Sequence, residues 1–188
     1  MHDPVYDAFL GTLAEDISEV NAASDILHLA PYGDAEPKPH VYAGWLRDVE
    51  HLVPNGDGTA SVSADPVAIS LRFPPGYCRS TDPNLQFRVA EIHSPLLHPN
   101  VRGLTVCLGP HFRPGTRVRP LVQQLYGIVC GRIRATDHAF DAEACRYYLH
   151  HLDQVLALRA RPLWRRRVVG RTRIGSLDTT NGMTGETP

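Results

Sequence analysis

A thiol and a side-chain amide seven positions apart define the chemistry open to this chain. Cys107 lies in the run Leu97-His98-Pro99-Asn100-Val101-Arg102-Gly103-Leu104-Thr105-Val106-Cys107-Leu108, just after an apolar, strand-like stretch. A sulfur that carries an acyl group needs exposure. It also needs a donor for the oxygen charge that develops when the thioester is attacked. Asn100 can be that donor without acting as a base, or it can cap a turn. His98 is near enough in sequence to help as a base, or its ring can bond the loop backbone and hold it.

Other chemistries fit the same residues less well. A lone cysteine is most often a small buried hydrophobe. Cys130 falls in an apolar helical face and reads as core, while Cys78 and Cys145 have no partner that the sequence names. His93, His98, His111 and Cys107 could in principle gather around zinc. Yet no His-x-x-x-His or paired-cysteine spacing supports it, and Pro95, Pro99 and Pro110 stiffen the loop. No metal and no cofactor are therefore expected. A Cys-His peptidase would need a distant histidine such as His138 or His150, and the neighbours Val106 and Leu108 do little to activate a thiolate.

Composition narrows the classes further. The 188 residues suit one domain with a short tail, and a hydrophobic content of 43% argues against disorder. A net charge of -1 gives no general case for nucleic acid. Charge is nonetheless uneven: Met1 to Leu46 holds eight acids and one base, Lys38, whereas Arg159 to Pro188 holds seven arginines and two acids. The Trp164-Arg165-Arg166-Arg167 stretch could touch nucleic acid or acidic lipid, but such runs more often form a solvated tail. Met1-His2-Asp3-Pro4 has neither a basic start nor an apolar run, so no signal peptide is expected, and no apolar run of about 18 residues suggests a membrane span. The cysteines read as reduced thiols in a cytoplasm. Lys38 is the only lysine beside eighteen arginines. The plainer reading is codon bias in a GC-rich genome; the functional one is that a thioester carrier gains from having few amines of its own.

The elements that must hold Cys107 follow from periodicity. Apolar residues Phe9, Leu10, Leu13, Ile17 and Val20 predict a helix over Asp3 to Val20, with acids on its other side. Strands are expected over Asp25 to Ala30, Val41 to Val53, Val67 to Phe73 and Leu85 to Ile92, with Pro54-Asn55-Gly56-Asp57-Gly58 as a turn. An irregular segment, His93 to Val118, carries Cys107. Pro120 then fits the first turn of a helix with Leu121, Val122, Leu125, Ile128 and Val129 inward. A last helix is expected over Asp141 to Arg159, with Ala144, Tyr148, Leu152, Val155 and Leu156 inward. The order implies an α+β domain, a four-stranded antiparallel meander with helices on one face.

His98, Pro99, Asn100, Gly103, Cys107 and Leu108 resemble the core of the ubiquitin-conjugating enzyme family, with a spacing about one residue shorter. Phe73-Pro74-Pro75-Gly76-Tyr77 resembles that family's Phe-Pro-x-x-Tyr-Pro element, with Cys78 where a proline is common. Phe112 and Pro114 stand where a Trp-x-Pro often occurs. The resemblance spans roughly Asp3 to Arg159 and implies a catalytic domain over 3–160; the residues beyond show no apolar period, so a basic, flexible tail is expected over 161–188. It implies that Cys107 takes a ubiquitin-like modifier as a thioester from an ATP-dependent activating enzyme and passes it to a lysine of a target protein. Asn100 would stabilise the oxyanion, while His98 and Pro99 would support the loop. Asp137 would position the incoming amine, or merely cap the segment ahead. The other class open to this fold is a catalytically idle protein that binds ubiquitin-like proteins or scaffolds a complex.

Overall fold

The computed structural model describes residues 3–33, 39–110, 112–135 and 137–165. It opens with helix α1 (Pro4–Ala22), which starts because Asp3 caps it: the carboxylate accepts the Val5 and Tyr6 N–H groups. Leu13, Ile17 and Val20 are buried, with Phe9 and Leu10 packed against the core. Strands β1 (Leu27–Pro31), β2 (Val41–Leu46), β5 (Val67–Arg72) and β6 (Ala90–Ile92) pair antiparallel in that order. Close pairing of β1 and β2 depends on Gly44, because a Cβ there would sit 1.8 Å from the His28 carbonyl oxygen. Two short strands, β7 (Val101–Arg102) and β8 (Thr105–Val106), extend the sheet to the order β1-β2-β5-β6-β8-β7. The described chain is thus α+β, with an N-terminal helix and an antiparallel sheet.

The expected strand over Val41 to Val53 is two strands. Asp48 turns the chain with φ 57, and β3 (His51–Pro54) leaves the sheet to pair with β4 (Ala60–Ser63) as a separate hairpin. Leu85 to Ile92 is likewise not one strand. Asp82 accepts the Asn84 N–H and Pro83 fixes the first φ, so residues 83–87 wind into a 3-10 turn and only 90–92 pair. Helix α2 (Val118–Val129) buries Leu121, Val122, Leu125, Ile128 and Val129, and contacts α1.

The expected last helix is broken at His151 into α3 (Ala142–His150) and α4 (Leu152–Leu156). The His151 ring stacks on Tyr147 at 4.2 Å. The break turns Leu152 and Leu156 outward, while Ala144, Tyr148 and Val155 stay buried.

A strap over residues 159–165 crosses the turn between β2 and β3 and reaches α1. Arg159 pairs with Glu50, Arg161 with Asp48, and Arg165 with Asp25, and the Arg165 N–H donates to the Ala23 carbonyl. Exposed ion pairs contribute little singly; Leu163, 3% exposed in the main core, carries the attachment. Leu163→Ala should lower unfolding free energy by about 2–4 kcal/mol, and chemical denaturation would measure it. The remainder of the expected tail, 166–188, lies outside the described residues, as do His111 and Thr136.

Candidate active site

Cys107 emerges from a two-strand hairpin. Val101 pairs with Val106 and Arg102 with Thr105, so residues 103 and 104 form the turn. Gly103 has φ 60 at the first central position, which a type II′ turn requires. Beyond this hairpin the Cys107 N–H donates to the Asn100 carbonyl at 2.7 Å. Val106 and Leu108 on either side are buried, whereas Cys107 is half-exposed.

The side chain of Asn100 spans the loop. Its Nδ2 donates to the Cys107 carbonyl at 3.1 Å, and its Oδ1 accepts the Ala135 N–H at 2.8 Å. Asn100 is 3% exposed, so these bonds replace water that it has lost. Gln124 of α2 donates through Nε2 to the Leu108 carbonyl. Amide side chains therefore hold the two successive carbonyls on the C-terminal side of the sulfur.

His98 is fully buried and lies edge-on to Tyr148, with ring centroids 5.2 Å apart. Its Nδ1 accepts the Asn100 N–H at 3.0 Å, which places the ring proton of the neutral form on Nε2. Nε2 is buried with no partner of hydrogen-bond geometry. Burial pushes the pKa down to about 3. A ring so hard to protonate is a poor base, and the geometry is that of a loop support. Pro99 completes the support: its carbonyl accepts the Phe140 and Asp141 N–H groups at 2.8 and 3.0 Å, where Asp141 caps α3.

The β3–β4 hairpin braces the same loop from a third side. The Leu97 N–H donates to the Leu52 carbonyl, and Leu52, Tyr148 and Val155 form a small separate core with Leu97 against it. His98, Pro99, Asn100 and Cys107 are thus brought together. Asp137 stands in an exposed turn two residues after Ala135, the residue bonded to Asn100.

The other thiols are placed differently. Cys130 and Cys145 are buried, and burial raises the Cys130 thiol. Cys78 is half-exposed, but burial and then Asp3 push its pKa up. Among the described residues no group of three histidine, cysteine or acidic side chains converges as a metal site, and no helix is long and apolar enough to cross a membrane.

A groove of about 600 Å³ lies between the β3–β4 hairpin and α3, lined by Pro54, Leu97, Tyr147 and His151 among others. A smaller cleft of about 290 Å³ is lined by Gly109, Pro110 and Phe112, directly following Cys107, together with Asp82 and Leu85.

No family model matches the sequence, and no curated protein matches it. Among solved structures the chain is similar to the E2 domain of a Toxoplasma gondii ubiquitin conjugating enzyme. The TM-score is 0.50 and the identity 14%, over 78% of this chain and 90% of that one. The chain has a ubiquitin-conjugating-like fold. Identity that low speaks for the fold alone, so the chemistry has to be argued from this chain's own residues.

Sequence reasoning missed Gln124, Ala135 and Tyr148 as partners of the site. Gln124 left one signal, a polar side chain on the flank of the apolar face of α2. Ala135 acts through its backbone and left none.

Proposed function

We propose that this chain is an acyl carrier of the ubiquitin-conjugating type. The Cys107 thiolate attacks the acyl group of a ubiquitin-like modifier held as a thioester on an activating enzyme, and the enzyme's thiol leaves. A lysine amine of a target protein then attacks the Cys107 thioester, an amide forms, and the Cys107 thiolate is released. The energy comes from the ATP used upstream, so this reading gives the chain no cofactor. The observation that carries the proposal is a part-exposed Cys107 in a loop cross-tied by Asn100 and braced from His98, Pro99 and Gln124.

This reading gives Asn100 two tasks. One Nδ2 proton holds the Cys107 carbonyl; the amide carries a second, which this reading assigns to the oxyanion of the attacked thioester. Asp137 is assigned the positioning of the amine. Glu15 and Glu19, exposed on α1, are assigned to an acidic face toward a basic docking surface on the activating enzyme, since complementary charge speeds encounter. Asp16 is already paired with Arg117 at 2.7 Å. An idle binding protein of the same fold would have no use for the cross-tied sulfur.

The test is to mix the protein with ATP, an activating enzyme and a ubiquitin-like protein, and to seek an adduct that thiols remove. Failure to form one with any such pair would overturn the carrier reading. Once charging is observed, Asn100→Ala should slow discharge to free lysine by about 10²–10³ and slow charging less. Equal loss in both steps would show that Asn100 only holds the loop.

A further inference from the structure

The same chain that presents a thiol for acyl transfer carries almost no amine of its own. Lys38 is the single lysine in 188 residues, and none of the described residues is a lysine. Positive charge is supplied by arginine instead, including positions flanking the site. Arg102 lies on β7 in register with Thr105, two residues before Cys107. Arg113 follows in the segment after the sulfur, and Arg134 adjoins Ala135, whose N–H is bonded to Asn100. Arg102 and Arg113 are exposed, and Arg134 is half-buried with its Nη1 on the Gly131 carbonyl.

The distinction matters chemically. A lysine has a pKa near 10.4, so a small fraction is a free amine at neutral pH and can attack a thioester. A guanidinium does not deprotonate in proteins and is no nucleophile, yet it keeps the charge. Lys38 belongs to the segment joining β1 and β2.

We infer that the arginine-for-lysine surface around Cys107 makes the charged protein inert toward itself, so that the acyl group leaves only to an amine of another molecule. This rests on the carrier reading above and adds a constraint on where the acyl group can go. The consequence holds whatever produced the composition, because what matters is that the described residues around the thioester offer arginine and no lysine.

The test uses the full chain and a peptide ending in Gly-Gly as its 2-mercaptoethanesulfonate thioester. The Cys107 thiolate attacks that carbonyl and expels mercaptoethanesulfonate. An amine within reach would then attack, lose its proton to solvent, form an amide and free the Cys107 thiolate. Mass spectrometry after dithiothreitol counts the amide-linked adduct and locates it. The native chain should give a reducible adduct on Cys107 and almost no resistant one. Arg102→Lys, Arg113→Lys and Arg134→Lys, made singly and together, should raise the rate of resistant self-adduct at least about tenfold, since a nearby amine acts at high effective concentration.

Resistant adduct on the native chain at the rate of the lysine variants would overturn the inference. So would lysine variants that behave as the native chain while added free lysine still discharges the thioester. If no reducible adduct forms on Cys107, the carrier reading itself fails, and this inference falls with it; the reducible and resistant adducts are read separately, so the two failures are distinguishable.

Discussion

Cys107→Ala should abolish the thiol-sensitive adduct altogether, and Cys107→Ser should convert it to a dithiothreitol-resistant oxyester or abolish it. The reason lies in placement. Of the four free thiols, Cys130 and Cys145 are buried, and the Cys78 thiol is pushed up by burial. Cys107 alone follows the Asn100 cross-tie. Thiolate is the nucleophile, and a serine hydroxyl in its place is far less ionised at neutral pH, so charging of the serine variant should also be slow. Cys78→Ala and Cys130→Ala should charge at the native rate provided that they fold. Loss of charging in either, with near-native circular dichroism and melting, would move the assignment off Cys107.

A large effect is also expected from His98, on stability rather than on acyl transfer. Its folded pKa is about 3 against 6.5 for an unperturbed ring, and burial is the main cause. The sign follows from proton counting. Between those two values the unfolded chain binds a proton that the folded one refuses, so acid favours unfolding there. The contribution is fully present above about pH 6.5 and is lost as pH falls toward 3. From pH 7 to pH 5, above the carboxylate range, it should cost about 2 kcal/mol. Urea unfolding at both pH values, on the native chain and on His98→Gln, measures it: the pH dependence should shrink by that amount in the variant. The variant should also be less stable at pH 7, because the Asn100 N–H loses its ring acceptor. An unchanged pH slope would show that His98 is protonated in the folded state, with its Nδ1 off the Asn100 N–H.

The sequence made the frame of the site legible and hid its bracing. The α1 stripe, the alternation of Val67, Ile69 and Leu71, and the Pro120 start of α2 are periodic signals, and all three elements form. His98, Pro99, Asn100 and Cys107 converge because they are neighbours in one loop. The β3–β4 hairpin escaped notice because its strands are short and its exposed tip and half-exposed β4 show no clear alternation. Leu85, Phe87 and Val89 alternate as a strand would, yet Asp82 and Pro83 build a tight turn there and the Phe87 ring stacks on Phe140. The Ala135 N–H on Asn100 crosses thirty-five positions and uses backbone only, so no side-chain pattern could announce it. The break at His151 likewise has neither glycine nor proline to mark it.

The strap has a consequence for how the chain is made. Leu163 and the Arg165 contact to Ala23 close the core onto elements that lie among the first thirty residues. At roughly 5–20 residues per second, synthesis of the intervening stretch takes about seven to thirty seconds. Through that interval the C-terminal end of α1 exists without the segment whose Arg165 N–H bonds the Ala23 carbonyl and whose Leu163 enters the core. A nascent protein stalled before Leu163 would therefore present its N-terminal half unlatched. Residues 163–165, and not the sulfur-bearing loop that precedes them, complete the core that α1 begins.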